Sequence, residues 1–417
     1  MRVGHRSGTI SWGAWTLRRS FWTAALLSVA VSSAAQPRPP QRIAPDDKRL
    51  LPVRLTWTVD LPAEPAAPPI TDPLQAYMPL RNGQVVAIAL ADGWAQWLVD
   101  IETTWPVATD GALVFVAADD GVRALRAVDG SEAWRAPVGA VAAPPVSQSG
   151  WLIVGTRDGD VRAFRGGDGA VVWKRSLGSP LAAAPAIEGD RLFLPLDDGR
   201  LVALEIVRGD PAWERTLGGR PGGILALPDR VFVGTSDNFL YCLAARDGAP
   251  DWRWRTAADV TGAPAADQSR VYFVSLDNVL RALDRRTGVQ RWRRPLPSRH
   301  FGGPQASAGV VVASLPVGPL LFYAADTGRS AGSLEVPAPL VVAASPVELS
   351  PAGGRFLIAT IDNTGLAQLH AVGPGGDPFL SPLAGVPGRV LEPEFPLPKK
   401  VLFLVLPAPP ALPRRGG

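Results

Sequence analysis

The amino-acid sequence predicts an all-β fold, an eight-bladed β-propeller of four-stranded antiparallel blades closed by its own amino-terminal strand. Three observations lead there. Tryptophans inside extended segments recur at Trp57, Trp97, Trp134, Trp173, Trp213, Trp252 and Trp292, with spacings of 40, 37, 39, 40, 39 and 40 residues. A polar turn recurs at Asn82-Gly83, Asp120-Gly121, Asp158-Gly159, Asp198-Gly199, Asp237-Asn238, Asp277-Asn278, Val317-Gly318 and Asp362-Asn363, with spacings of 38, 38, 40, 39, 40, 40 and 45. Four short strands repeated at roughly 40 residues are the mark of propeller blades. Composition is the third observation. With 43 Gly and 43 Pro among 417 residues, long helices are excluded, and 14 Trp with 13 Phe carry too much apolar area for a chain without a core.

The unit at residues 142–177 shows how each strand is read. Ala142-Ala143-Pro144-Pro145-Val146 reads as a small-residue strand nearest the axis, where blades crowd and large side chains would clash. Ala182-Ala183-Ala184-Pro185, Gly222-Gly223 and Gly262-Ala263-Pro264 repeat that composition. Trp151-Leu152-Ile153-Val154-Gly155 is a buried strand, and Val161-Arg162-Ala163-Phe164 alternates with period two. Asp158-Gly159 between them reads as a hairpin turn with positive φ at both central residues. Asp168-Gly169 turns the chain again into the outermost strand, which carries Trp173. Equivalent last turns are Asp92-Gly93, Asp129-Gly130, Asp247-Gly248, Thr287-Gly288 and Thr327-Gly328. The tryptophan ring is expected to fill the wedge between diverging blades, where burial of roughly 200 Å² stabilises by at most about 5 kcal/mol.

The ends of the repeat complement each other. The first tryptophan strand, around Trp57, precedes any inner strands, and the last set, around residues 355–360 and 366–370, lacks an outer strand. The amino-terminal strand is therefore expected to complete the last blade, leaving no free edge between first and last units. An eighth tryptophan would fall at position 332, where Gly332 stands.

Around the ring, which is expected at residues 53–373, the sequence divides into a signal peptide (1–35), a Pro-rich linker (36–52) and a Pro-rich tail (374–417). Arg18-Arg19 precede an 11-residue apolar run at 21–31, too short for a membrane span, and Ser33-Ala34-Ala35 supplies small residues for cleavage. This implies export to the periplasm, by the general or the twin-arginine route. No cysteine stands at the cleavage point, so no lipid anchor is expected there. The net charge of +4 belongs to the leader, whose Arg2, Arg6, Arg18 and Arg19 face no acid; the remaining chain carries as many bases as acids, which argues against a nucleic-acid partner. No transmembrane span is expected. Within the tail, residues 401–406 form an apolar run suited to docking on the propeller or on a partner.

At the level of the repeat the chain resembles a known family. The runs Asp237-Asn238-Phe239-Leu240-Tyr241-Cys242-Leu243 to Trp252 and Asp277-Asn278-Val279-Leu280-Arg281-Ala282-Leu283 to Trp292 are similar to the pyrroloquinoline-quinone (PQQ) enzyme repeat. The resemblance implies the propeller fold over about residues 54–372. It covers two branches, quinoprotein alcohol dehydrogenases and non-enzymatic BamB-like propellers, so function has to come from the site. In the dehydrogenases resembled, the quinone lies against a disulfide of adjacent cysteines, with a calcium ion and an aspartate base. This sequence has one cysteine, Cys242, expected to be a buried inert thiol. Its units are evenly spaced and offer no insertion for a lid.

Other chemistry finds little support. Beyond the leader the histidines are His300 and His370, too few for a zinc site unless carboxylates join them. The aspartates recur in turns, including the pairs Asp119-Asp120 and Asp197-Asp198, where local hydrogen bonding accounts for them without calcium. The distinctive surface feature is basic: Arg253 and Arg255 around Trp254, with Arg291, Arg293 and Arg294 around Trp292. It reads as a contact patch for an acidic partner or an anionic membrane surface. The expectation is a non-enzymatic interaction scaffold of the cell envelope, without cofactor or metal, nearest to BamB-like outer-membrane protein assembly. The alternatives are an atypical PQQ-dependent dehydrogenase and a channel that senses a small ligand or glycan.

Overall fold

The computed structural model describes residues 53–307, 309–347 and 355–374. The expected signal peptide, the linker and the tail from residue 375 onward lie outside the described residues.

Eight four-stranded antiparallel sheets form the ring, each ordered from an inner strand A to an outer strand D. Blade 1 comprises Ile70–Thr71, Gln75–Leu80, Gln84–Ala89 and Ala95–Asp100. Blades 2 to 7 repeat the pattern and end on the outer strands Glu132–Ala136, Val171–Ser176, Pro211–Thr216, Pro250–Arg255, Gln290–Pro295 and Ser330–Leu334. Blade 8 takes Ser345–Val347, Arg355–Ile361 and Ala367–Pro374 from the carboxy-terminal side of the chain and Val53–Leu61 as its outer strand. Val53–Leu61 is antiparallel to Ala367–Pro374 in a register running from Val53 opposite Pro374 to Leu61 opposite Ala367. The expected closure by the amino-terminal strand is therefore observed.

Strand B is a nearly continuous apolar run because neighbouring blades cover both of its faces. Strand D alternates between exposed and half-buried residues. The core is accordingly divided: buried side chains fall into eight clusters, one for each seam between adjacent blades.

Two expectations about local structure need correction. The Ala/Pro segments at 142–145 and 182–185 are not strands; they lead into the short inner strands Val146–Gln148 and Ala186–Glu188. Proline has no amide to give the ladder, so the pairing starts after it. The B–C turns do not hold two residues at positive φ. Only the second residue of the pair is left-handed, as at Gly159 (82°), Asn238 (65°) and Asn278 (59°), and in blade 8 that role passes to Gly365. The amide of Gly159 bonds the carbonyl of Thr156 at 3.0 Å, and that of Asn278 bonds Ser275 at 2.9 Å. These are type I turns completed by a left-handed residue.

A bulge recurs that the residue pattern does not announce. In every blade the register between strands C and D slips by one residue just before the tryptophan position, as at Val171/Trp173 and Pro211/Trp213. The slip recurs before Gly332 in blade 7 and before Trp57 in blade 8. A bulge bends the strand and re-aims the next side chain, here toward the following blade.

Candidate interaction surface

Each recurrent tryptophan crosses a seam. The indole N–H of Trp57, Trp97, Trp134, Trp173, Trp213, Trp252 and Trp292 donates to a backbone carbonyl of the next blade, that of Leu90, Ala127, Gly166, Ile206, Ala245, Arg285 and Ala325 respectively, at 2.7–3.3 Å. Three residues beyond each acceptor stands a glycine of the C–D turn: Gly93, Gly130, Gly169, Gly209, Gly248, Gly288 or Gly328. The ring lies flat on it. A Cβ there would meet ring atoms at 2.4–2.8 Å, and φ at these glycines is 64–82°. Space and backbone conformation both require glycine. The wedge role foreseen for the tryptophans thus becomes a directed clamp, and the turn at Arg208-Gly209, which the sequence reading passed over, is one of its receptors. Aromatic residues of strand B support the rings from behind, as Phe193 does for Trp213 with centroids 5.8 Å apart.

The five candidate arginines lie on the outer strands of blades 5 and 6, and the structure gives them different employment. Arg294 donates to the carbonyls of Gly328 and Thr327 in the C–D turn of blade 7. Arg175 and Arg215, also two residues past a tryptophan, treat Gly209 and Gly248 in the same way, at 2.9 and 2.8 Å. Arg294 is therefore a seam latch. Arg291 pairs with Asp284 at 2.6 Å, and the guanidinium holds that carboxyl well below the usual range. The Arg253 guanidinium lies 4.9 Å over the Phe239 ring. Arg255 and Arg293 are exposed, and among the described residues neither has an ion pair. The patch thus holds a stacked cation and two uncompensated ones; Arg253 and Arg255 lie opposite Tyr241 and Phe239, on the sheet face turned away from the half-buried Trp254, which lies opposite Leu240.

Most of the remaining reactive groups are already engaged. Asp72, Asp110 and Asp267 cap A–B turns by accepting two backbone amides each at 2.6–3.0 Å. Asp120 pairs with Arg123 at 2.6 Å, and Asp198 pairs with Arg200 at 2.7 Å, while Asp197 takes Arg220. Cys242 is fully buried in strand Phe239–Ala244, where burial pushes its thiol up to about 12. His370 bridges three strands of blade 8. Its Nδ1 and Nε2 each lie 2.8 Å from a threonine hydroxyl, on Thr58 and Thr360, and burial pushes the imidazole down to about 4. The exception is His300, half-buried in the loop before blade 7: its buried Nδ1 has no hydrogen-bond partner among the described residues, and burial and then Arg299 lower its basicity. Among the described residues no three His, Cys, Asp or Glu side chains come together to hold a metal ion, and no helix is long and apolar enough to cross a membrane.

A family model described as the outer membrane protein assembly factor BamB matches residues 81–227 and 222–347, more than half of the chain. The chain belongs to this PQQ-like propeller family. BamB from Moraxella catarrhalis is similar over 76% of this chain and 99% of its own, with 16% identity and a TM-score of 0.62. The quinohemoprotein alcohol dehydrogenase ADHIIG from Pseudomonas putida HK5 is similar over 78% of this chain and 76% of its own, with 13% identity and a TM-score of 0.65. The computationally designed Ika8 protein shares 14% identity over 76% of this chain and 99% of its own, with a TM-score of 0.63. At such identities the likeness speaks for the fold. No curated protein matches the sequence.

Proposed function

We propose that this chain is an exported, non-catalytic propeller that serves as a protein-interaction scaffold in the cell envelope, in a role like that of an outer membrane protein assembly factor. The observation that carries this reading is the commitment of Cys242, His370 and most of the turn aspartates to the core, to turns and to ion pairs. A general base or nucleophile needs a free, poised group. Family membership supports the same reading. The donor set does not fit a calcium-bound quinone stacked on a disulfide, because the sequence has a single cysteine and that thiol is buried. The contact face of the scaffold is the outer edge of blades 5 and 6, where Arg253, Arg255 and Arg293 present positive charge. Such an edge suits an acidic partner segment, since uncompensated guanidinium groups attract carboxylates and arginine is favoured at protein interfaces.

The test is capture from envelope extracts with tagged protein lacking residues 1–35. A specific protein should be retained at low salt, and Arg253→Glu with Arg255→Glu and Arg293→Glu should release it while leaving the thermal melt unchanged. Dye-linked alcohol oxidation that appears when PQQ and calcium are added would defeat the reading.

A further inference from the structure

One blade differs from the others at its turns. In blade 1 the A–B turn exposes Leu74 (73%) and the C–D turn exposes Trp94 (59%). The amide of Leu90 bonds the carbonyl of Leu74 at 2.8 Å, so the two turns are neighbours. The residue that follows the C–D glycine is Ser131, Ala170, Asp210, Ala249, Val289 and Arg329 in blades 2 to 7; blade 1 alone puts a tryptophan there. This indole is not one of the seam clamps. Its backbone makes the turn bonds, while its ring is left in water. Two large exposed apolar side chains on neighbouring turns of one ring edge mark a contact site.

The chain itself brings an occupant to this edge. Ala367–Pro374 ends on the side of the ring that carries the A–B and C–D turns, opposite Val53 of the closing strand. Four residues along that strand, roughly 13 Å, is Trp57, whose ring lies on Gly93 in the turn that holds Trp94. The tail therefore starts beside blade 1. Between residues 374 and 401 lie 26 residues, which as a flexible chain reach about 28 Å and more where prolines extend them. Residues 401–406 form the longest unbroken apolar run of the tail, and Lys399-Lys400 precede it. Asp92, Asp110 and Asp129 are exposed on the turns of blades 1 and 2 along the same edge.

We propose that Leu74 and Trp94 of blade 1 form the docking site for the chain's own segment 401–406, with Lys399 and Lys400 set against the turn aspartates. This goes beyond the scaffold reading and does not depend on it. Docking removes the exposed indole from water and places the tail over blades 1 and 2, away from the arginine face of blades 5 and 6.

Hydrogen exchange of the purified full chain tests this, in comparison with a Leu402→Ser, Leu404→Ser, Leu406→Ser variant and with a Leu74→Ser, Trp94→Ser variant. The site residues are exposed, so both variants should melt like the parent. In the parent, peptides covering 72–75, 90–95 and 401–406 should exchange about tenfold more slowly than in either variant. Carbodiimide coupling should join Lys399 or Lys400 to Asp92, Asp110 or Asp129 within one copy in a mixture of isotopically light and heavy protein. Equal exchange in parent and variants would overturn the proposal. So would cross-links mainly between light and heavy copies, or protection that appears only when anionic vesicles are added, because the site would then belong to a second copy or to a membrane.

Discussion

Seven seams of the ring are clamped by a tryptophan, and the seam between blades 7 and 8 is not. The difference follows from how the ring is closed. A clamp needs a receiving C–D turn, and blades 1 to 7 each have one. In blade 8 strands C and D come from opposite parts of the chain, Ala367–Pro374 and Val53–Leu61, so no turn joins them. A tryptophan at the end of blade 7 would have nothing to rest on, and Gly332 occupies that place. The bulge that would have aimed it is still there. What holds this seam is an apolar cluster including Val312, Phe322, Leu340, Phe356 and Ile358. The closing strand meanwhile has two tasks, since it completes blade 8 by pairing and clamps blade 1 through Trp57.

The sharpest way to break the comparison is to delete residues 53–61. Blade 8 then loses its outer strand and blade 1 its clamp, so the cooperative melt should be lost and the protein should aggregate, read by calorimetry and light scattering. Next in size, Trp213→Ala should cost roughly 3–5 kcal/mol in denaturant unfolding. Gly248→Ala should also destabilise, and the double variant should cost clearly less than the two single losses together, because both act on one clamp. Gly332→Trp should give no gain.

Acid should weaken the closing blade by a slightly smaller amount. His370 is 1% exposed and sits near 4 in the folded protein against 6.5 when unfolded. The unfolded chain thus takes up the proton first. Stability is full above about pH 6.5 and should fall by about 3 kcal/mol as the pH drops to 4. His370→Gln should flatten that slope in urea melts taken across the range. The smallest effect is expected for Arg215→Ala, about 1 kcal/mol, since its bonds to Gly248 and Asp247 are partly solvated.

Much of this was legible in the sequence. The polar turn, recurring eight times, gave the blade count, and the unmatched strand around Trp57 gave the closure, because both are patterns of residue type along the chain. The clamp was half legible. Each tryptophan is followed 33–36 residues later by a turn glycine, such as Trp213 by Gly248, yet only the ring geometry shows that the two touch. The bulge leaves no residue signature, since the slipped position holds Thr56, Val172, Ala212 or Arg291. The arginine patch was visible as composition. That Arg294 is spent on the next blade while Arg255 is not depends on where each side chain lies relative to a carbonyl, and period alone does not carry that.

Native-state hydrogen exchange resolved by blade tests the central claim most directly. Under mild denaturant, amides of Leu320–Ala324 and Arg355–Ile361, which flank the unclamped seam, should open at lower free energy than those of Arg200–Glu205 and Arg230–Thr235, which flank a clamped one. Equal protection on both sides of the ring, or first opening between blades 4 and 5, would contradict it.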